Sequence, residues 1–180
     1  SDRFRGPSTR LRGWDYRWPG AYAVTICVEG RVSCLGEVVE TDVALSPYGV
    51  ITAEEWLRIP SKQPQVILDE WIVMPDHVHG ILIFQGEGRP MPVEVGLLPG
   101  SLGVVVGQFK QRATKRIRAR RRPEFSWQER FFDQILRDDE DLERYRRGWS
   151  QRGRSAQMPK TNKAFFGRLR ALPESSIACG

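Results

Sequence analysis

The stretch Trp71-Ile72-Val73-Met74-Pro75-Asp76-His77-Val78-His79-Gly80-Ile81-Leu82-Ile83-Phe84 holds both histidines of a 180-residue chain, one residue apart in an apolar run. Side chains alternate faces along a strand, so His77 and His79 project together with Ile81 and Ile83. Val78, Gly80, Leu82 and Phe84 take the opposite side. Two imidazoles in neighbouring same-face positions can grip one metal ion when other groups complete its shell. The same spacing also suits two satisfied or surface histidines on an ordinary strand. Val66 to Met74 reads as a strand, Met74-Pro75-Asp76 as an interruption, and His77 to Phe84 as its continuation.

Working outward toward the N-terminus, Ser46-Pro47 reads as a helix start, with a serine cap and proline at the first helical position. Val50, Ala53 and Leu57 follow at helical spacing, and Pro60 and Pro64 close the segment. Ala21 to Val28 is β-branched and apolar, so it reads as a buried strand. Glu29-Gly30-Arg31 reads as a hairpin loop and Val32 to Val39 as the returning strand, which would set Cys27 opposite Cys34.

Toward the C-terminus, Gln85 to Gly100 is a polar Gly/Pro loop without periodicity, expected to be mobile. Ser101 caps a helix expected to run to about Arg122, with Leu102, Val105, Val106, Phe109, Ala113 and Ile117 forming one apolar stripe. Its other faces carry Lys110, Arg112, Lys115, Arg116, Arg118, Arg120, Arg121 and Arg122 with no acidic residue among them. A solvated face usually mixes signs, so this one is expected to track phosphates, setting affinity and register more than sequence preference. Residues 1–20 interleave arginines with aromatics, and Arg12 and Arg17 are expected there as further phosphate contacts beside bases stacked on the aromatics. The same aromatics could equally pack on the core.

Length, charge and cysteine usage narrow the class. The chain is one domain long enough to bury a core. No window approaches a membrane span, and the first residues lack the apolar core of a secretion signal. Three cysteines without metal-type spacing (Cys27, Cys34 and Cys179) read as reduced thiols of a cytoplasmic protein. A net charge of +6 and an isoelectric point near 9.6 favour a polyanionic partner, which charge alone leaves open among RNA, DNA and an acidic membrane.

Trp71-Ile72-Val73-Met74-Pro75-Asp76-His77-Val78-His79-Gly80-Ile81-Leu82 closely resembles the His-hydrophobe-His motif of the single-tyrosine DNA transposases, in particular the REP-associated tyrosine transposases. Gly13-Trp14-Asp15-Tyr16 and Pro19-Gly20-Ala21-Tyr22 are similar to that family's opening pattern. The run Trp127-Gln128-Glu129-Arg130-Phe131-Phe132-Asp133-Gln134-Ile135-Leu136-Arg137 is similar to a second block, followed by an acidic helix start at Asp138-Asp139-Glu140-Asp141. The resemblance covers roughly residues 10–147. It implies an α+β, ferredoxin-like sandwich, an antiparallel sheet with helices mainly on one face; the alternating strands and helices by themselves suggest an α+β sandwich with helices over one antiparallel sheet. It also implies His77 and His79 as ligands of Mg2+ or Mn2+, and single-stranded or hairpin DNA as partner of a monomer or homodimer without membrane attachment. The reaction implied is tyrosine attack on a phosphodiester, giving a 5′-phosphotyrosine and a free 3′-hydroxyl.

Carried over by position, the family tyrosine falls on Gly148 and the metal-binding amide four residues later falls on Arg152. Tyr145, one helical turn earlier, is the candidate nucleophile, or else a core residue beside Leu142. The chain is thus divided into a transposase-like domain at 1–147 and a divergent basic tail at 148–180, read as disordered or frame-shifted. A protein that binds hairpins without chemistry is the alternative. A zinc hydrolase built on His77, His79 and a remote carboxylate or cysteine would need a third ligand and a base that the sequence does not set nearby.

Overall fold

The computed structural model describes residues 20–39, 42–85 and 100–155. The N-terminal arm with Arg12 and Arg17, the loop at 86–99 expected to be mobile, and residues 156–180 lie outside the described residues. The first strand, β1 (Gly20–Cys27), is central. It pairs antiparallel on one edge with β5 (His77–Phe84) and on the other with β6 (Phe132–Leu136). β4 (Val66–Val73) completes the sheet on the far side of β5. The order β4-β5-β1-β6, with a helix after β1 and another after β5, is the β-α-β-β-α-β ferredoxin-like arrangement expected from the sequence.

The two edge partners of β1 explain one correction. The predicted return strand at Val32–Val39 finds no open edge on β1, because β5 and β6 occupy both. Instead Glu29–Arg31 forms a short 3-10 turn, and the chain leaves the sheet to bury Cys34 and Leu35 in the core. Only Gly36–Val39 is extended (β2), and it pairs with Asp42–Leu45 (β3) in a separate ribbon. Cys27 therefore has His77, not Cys34, as its cross-strand partner, and both cysteines are free thiols. Burial raises the Cys34 pKa.

A second correction concerns Met74-Pro75-Asp76. The chain reverses there instead of continuing, with the Met74 amide donating to the His77 carbonyl at 2.8 Å and Val73 facing Val78. Proline presets the dihedral of such a turn. The tip is fixed from outside, since the Pro75 and Asp76 carbonyls accept from the Leu35 and Val28 amides, each at 2.9 Å.

Helix α1 (Pro47–Leu57) begins as read, the Ser46 hydroxyl accepting from the Tyr48 and Gly49 amides. A short α2 (Ile59–Lys62) follows. In α3 (Leu102–Ala119) all six residues of the predicted stripe are buried. The helix stops before Arg122, because Arg120 departs from helical dihedrals and Arg121 takes a positive φ of 67°. The main core between these helices and the sheet contains Tyr22, Val24, Ile26, Val78, Leu82 and Phe84 from the sheet, with Trp56 and Phe109 from the helices. The opposite face carries Ala21, Ala23, Ile81, Ile83 and Leu136, covered by Leu142 and Tyr145 of α4 (Asp139–Ser155). The predicted two-face division of β5 is thus observed, with α4 on the histidine side.

Gly80 lies on the main-core face where the Trp56 indole crosses β5. A Cβ there would stand 2.1 Å from Trp56 Cζ2, and Trp56 is fully buried. Gly80→Ala is expected to destabilise the fold by about 3 kcal/mol through overpacking, read as a lowered denaturant midpoint; an unchanged midpoint would mean that the indole can move aside.

Candidate metal and nucleic-acid site

The turn and the register of β1 on β5 set the two histidines. His77 Nε2 and His79 Nε2 face each other at 2.9 Å, and both side chains are only partly buried. The far side of each ring is tied. His77 Nδ1 lies 2.6 Å from Asp76 Oδ1, and because a carboxylate only accepts, Nδ1–H is the donor. His79 Nδ1 lies 2.8 Å from Thr25 Oγ1, its register partner on β1. Asp76 is held in turn by Arg31, whose Nε is 2.9 Å from Asp76 Oδ2. Arg31 also donates to Cys27 Sγ at 2.8 Å.

This is the arrangement that orients imidazole ligands, with each outer nitrogen engaged and the inner nitrogens convergent. Two nitrogens bound at right angles to one ion, with bonds of about 2.1 Å, would stand about 3.0 Å apart. The observed 2.9 Å fits that edge and is equally the length of a hydrogen bond between the two rings. A hydroxyl both donates and accepts, so Thr25 can serve His79 in either tautomer. Among the described residues no third histidine, cysteine or carboxylate joins the pair.

Tyr145 stands on the same face. Its hydroxyl donates to Gln134 Oε1, and Gln134 is the partner of Ala23, two residues along β1 from Thr25. The tyrosine therefore lies over the row adjacent to that of His79, packed against the small cluster of Ala23, Ile81 and Leu136. Arg146, the next residue, reaches the other edge of the sheet, with Nε 3.1 Å from Asp69 Oδ1 on β4. Hydrogen bonds to Asp69 and Glu143 raise its pKa further. Helix α4 continues past Gly148 to Ser155.

The cations of α3 divide into two sets. Arg112 and Arg116 turn inward onto α1: Arg112 Nε is 3.0 Å from Glu55 Oε2, and Arg116 bonds Glu55 at 2.9 Å and Glu54 at 2.6 Å. Burial pulls the Arg116 pKa down, but the bonds to Glu54 and Glu55 outweigh it and the net shift is upward. Lys110 donates to the carbonyls of Gln128, Glu129 and Arg130 at 2.8, 3.2 and 3.4 Å, pinning the segment before β6. Burial lowers its pKa to about 8. Arg118 Nε donates to the Phe125 carbonyl at 2.9 Å, although the residue remains exposed. Lys115, Arg120 and Arg121 are exposed toward solvent at the end of the helix.

Sequence reasoning missed Thr25, Asp76 and Arg31 as orienting residues. Asp76 carried a local signal, standing next to His77. Thr25 and Arg31 reach the site only through strand register and the 3-10 turn.

No family model matches the chain. A protein of Haemophilus influenzae, described only as uncharacterized, is 31% identical over 142 residues, spanning 73% of this chain and 79% of the relative. Among solved structures, a REP-associated tyrosine transposase bound to a REP hairpin aligns with a TM-score of 0.53 at 18% identity, over 76% of this chain and 67% of that one. A transposase-type protein from Deinococcus radiodurans aligns with a TM-score of 0.47 at 15% identity, over 84% of this chain and 98% of that one. Among the described residues no helix is long and apolar enough to cross a membrane.

Proposed function

Because the chain belongs to one family with the Haemophilus influenzae protein and has the fold of a REP-associated tyrosine transposase, we propose that it is transposase-like and acts on single-stranded hairpin DNA. The observation that carries this reading is the convergent Nε2 pair of His77 and His79, with Asp76 and Thr25 tying the outer nitrogens. A divalent ion bound there would polarise the scissile phosphate and stabilise charge developing on its oxygens. Two nitrogen donors suit Mn2+ better than Mg2+, which prefers an all-oxygen shell.

Tyr145 is the nucleophile of this reading. A phenol of pKa about 10 is protonated at neutral pH, so attack by Oη releases its proton while the phosphorus–O3′ bond breaks and the departing 3′-oxygen takes one up. The products are a 5′-phosphotyrosine and a 3′-hydroxyl. The hydrogen bond to Gln134 holds the Tyr145 hydroxyl on the histidine face of the sheet. Exposed Lys115, Arg118, Arg120 and Arg121 would follow the strand by phosphate contact, whereas Arg112, Arg116 and Lys110 are engaged within the protein. Cytoplasmic single-stranded DNA is the substrate source that this reading requires.

Gly148 favours a second reading. The resemblance puts the tyrosine at that position and a metal-binding amide at Arg152. A protein lacking both helix-borne groups would bind hairpins without cutting them.

Incubation with labelled hairpin DNA and Mn2+, followed by a denaturing gel and peptide mass mapping, separates these outcomes. An adduct on Tyr145 is the expected result. Hairpin binding without an adduct would establish the second reading, and absence of both would overturn the two together.

A further inference from the structure

We infer that Phe132 is a stacking platform for a nucleobase of the strand bound at the histidine pair. The inference rests on the proposed action on single-stranded DNA and adds to it a specific aromatic contact. Phe132 is 52% exposed, although it lies within β6. Its Cα partner on β1 is Thr25, whose partner on β5 is His79. Directly paired residues of an antiparallel sheet share a face. The Thr25 hydroxyl meets the His79 ring, so Thr25 points to the histidine side, and Phe132 does too. His79, Thr25 and Phe132 therefore form one row across three strands, spanning about 10 Å at the usual strand spacing. That is within the reach of a nucleotide whose phosphate sits at the histidines.

The surroundings favour a base over a protein partner. The helix covering this face packs Leu142 and Tyr145 on the rows of Ala21, Ala23, Ile81, Ile83 and Leu136, which begin one row beyond that of Phe132. Beside Phe132 the same face presents Thr25, His79 and exposed Gln134, so the ring stands among polar groups. Protein interfaces centre on larger contiguous apolar surfaces. A single aromatic face among polar side chains, on a chain of net charge +6, is what single-stranded nucleic acid uses. Stacking tolerates any base and adds an attraction that salt screens little, complementing the phosphate contacts.

The test is equilibrium binding of a hairpin carrying a single-stranded flank, with one abasic site moved along that flank. Wild-type protein is expected to lose about tenfold in affinity at one abasic position, the scale of one stacked base. Phe132→Ala should bind the intact strand about tenfold more weakly and be indifferent to that abasic site. Phe132→Trp should restore both the affinity and the abasic penalty. Because Phe132 is exposed, the alanine variant should retain the wild-type melting temperature, which checks that the effect is local. Unchanged affinity in Phe132→Ala, or an abasic penalty that survives it, would overturn the stacking role while leaving the proposed reaction standing. Failure of the wild type to bind any hairpin strand would overturn the proposed function, and this inference with it.

Discussion

Replacing His77 and His79 together by alanine is expected to abolish Mn2+ binding and to lower metal-dependent cleavage by about a thousandfold, the scale of losing preorganised charge stabilisation at a reacting centre. Hairpin affinity should stay within about threefold if, as proposed, phosphate contacts and stacking supply it. Isothermal titration with Mn2+ and a gel assay on the same preparations would read the two effects separately. Asp76→Asn provides the intermediate case. It keeps a side chain at the His77 Nδ1 position but removes the carboxylate that fixes the ring and meets Arg31, and loss of such an outer partner typically costs about 10- to 100-fold in metal affinity. If the double alanine variant folds yet fails to bind DNA, the histidines hold the strand as well as the ion. If it cleaves at the wild-type rate, the metal centre lies elsewhere.

The second large effect is on stability. Glu55 is 1% exposed and accepts from Arg58, Arg112 and Arg116, while Arg116 also bonds Glu54. Glu55→Ala leaves these guanidinium groups without their central carboxylate between α1 and α3. The expected loss is about 3 kcal/mol, the lower end for breaking a buried pair, since the arginines can relax toward water. For a domain of this size the melting temperature should fall by about 10 °C. The same substitution frees Arg112 on the basic side of α3 and leaves Arg116 with Glu54 alone, so non-specific affinity for single strands should rise. The salt dependence should steepen by about 0.7 for each new phosphate contact. Thermal melting and a salt titration of binding check the two halves. An unchanged melting temperature would mean that packing alone joins these helices, and an unchanged salt slope would mean that the released arginine does not meet DNA.

Much of this was legible in the chain because local pattern and global fold agree. Period-two alternation put His77 and His79 on one face, and the six-residue stripe of α3 marked the face that packs on the sheet. What stayed hidden depends on partners far away in sequence. The returning strand after Arg31 failed because β6, more than a hundred residues later, takes the edge of β1 that a local hairpin would have used. The basic face of α3 looked unopposed because Glu54 and Glu55 belong to α1. Gly80 read as an ordinary same-face position, and its requirement for a hydrogen in place of a Cβ appears only when Trp56 is seen crossing it. Likewise nothing near Thr25 announces a histidine partner; the register supplies it.

The two sides of the sheet are secured very unequally, and this sets a hierarchy of motion. Helix α3 inserts six buried side chains into the main core. Among the described side chains of α4, Leu142 and Tyr145 pack on the opposite face, assisted by the Arg146–Asp69 pair at its edge. Regions with few buried apolar contacts open locally at a small fraction of the global unfolding free energy. On these contacts the last helix is expected to open before the folded sheet does, seen as faster amide exchange along α4 than along α3. The histidines and their tethers, set in β-structure and a pinned turn, are then expected to exchange with the slow core, and the tyrosine with the last helix.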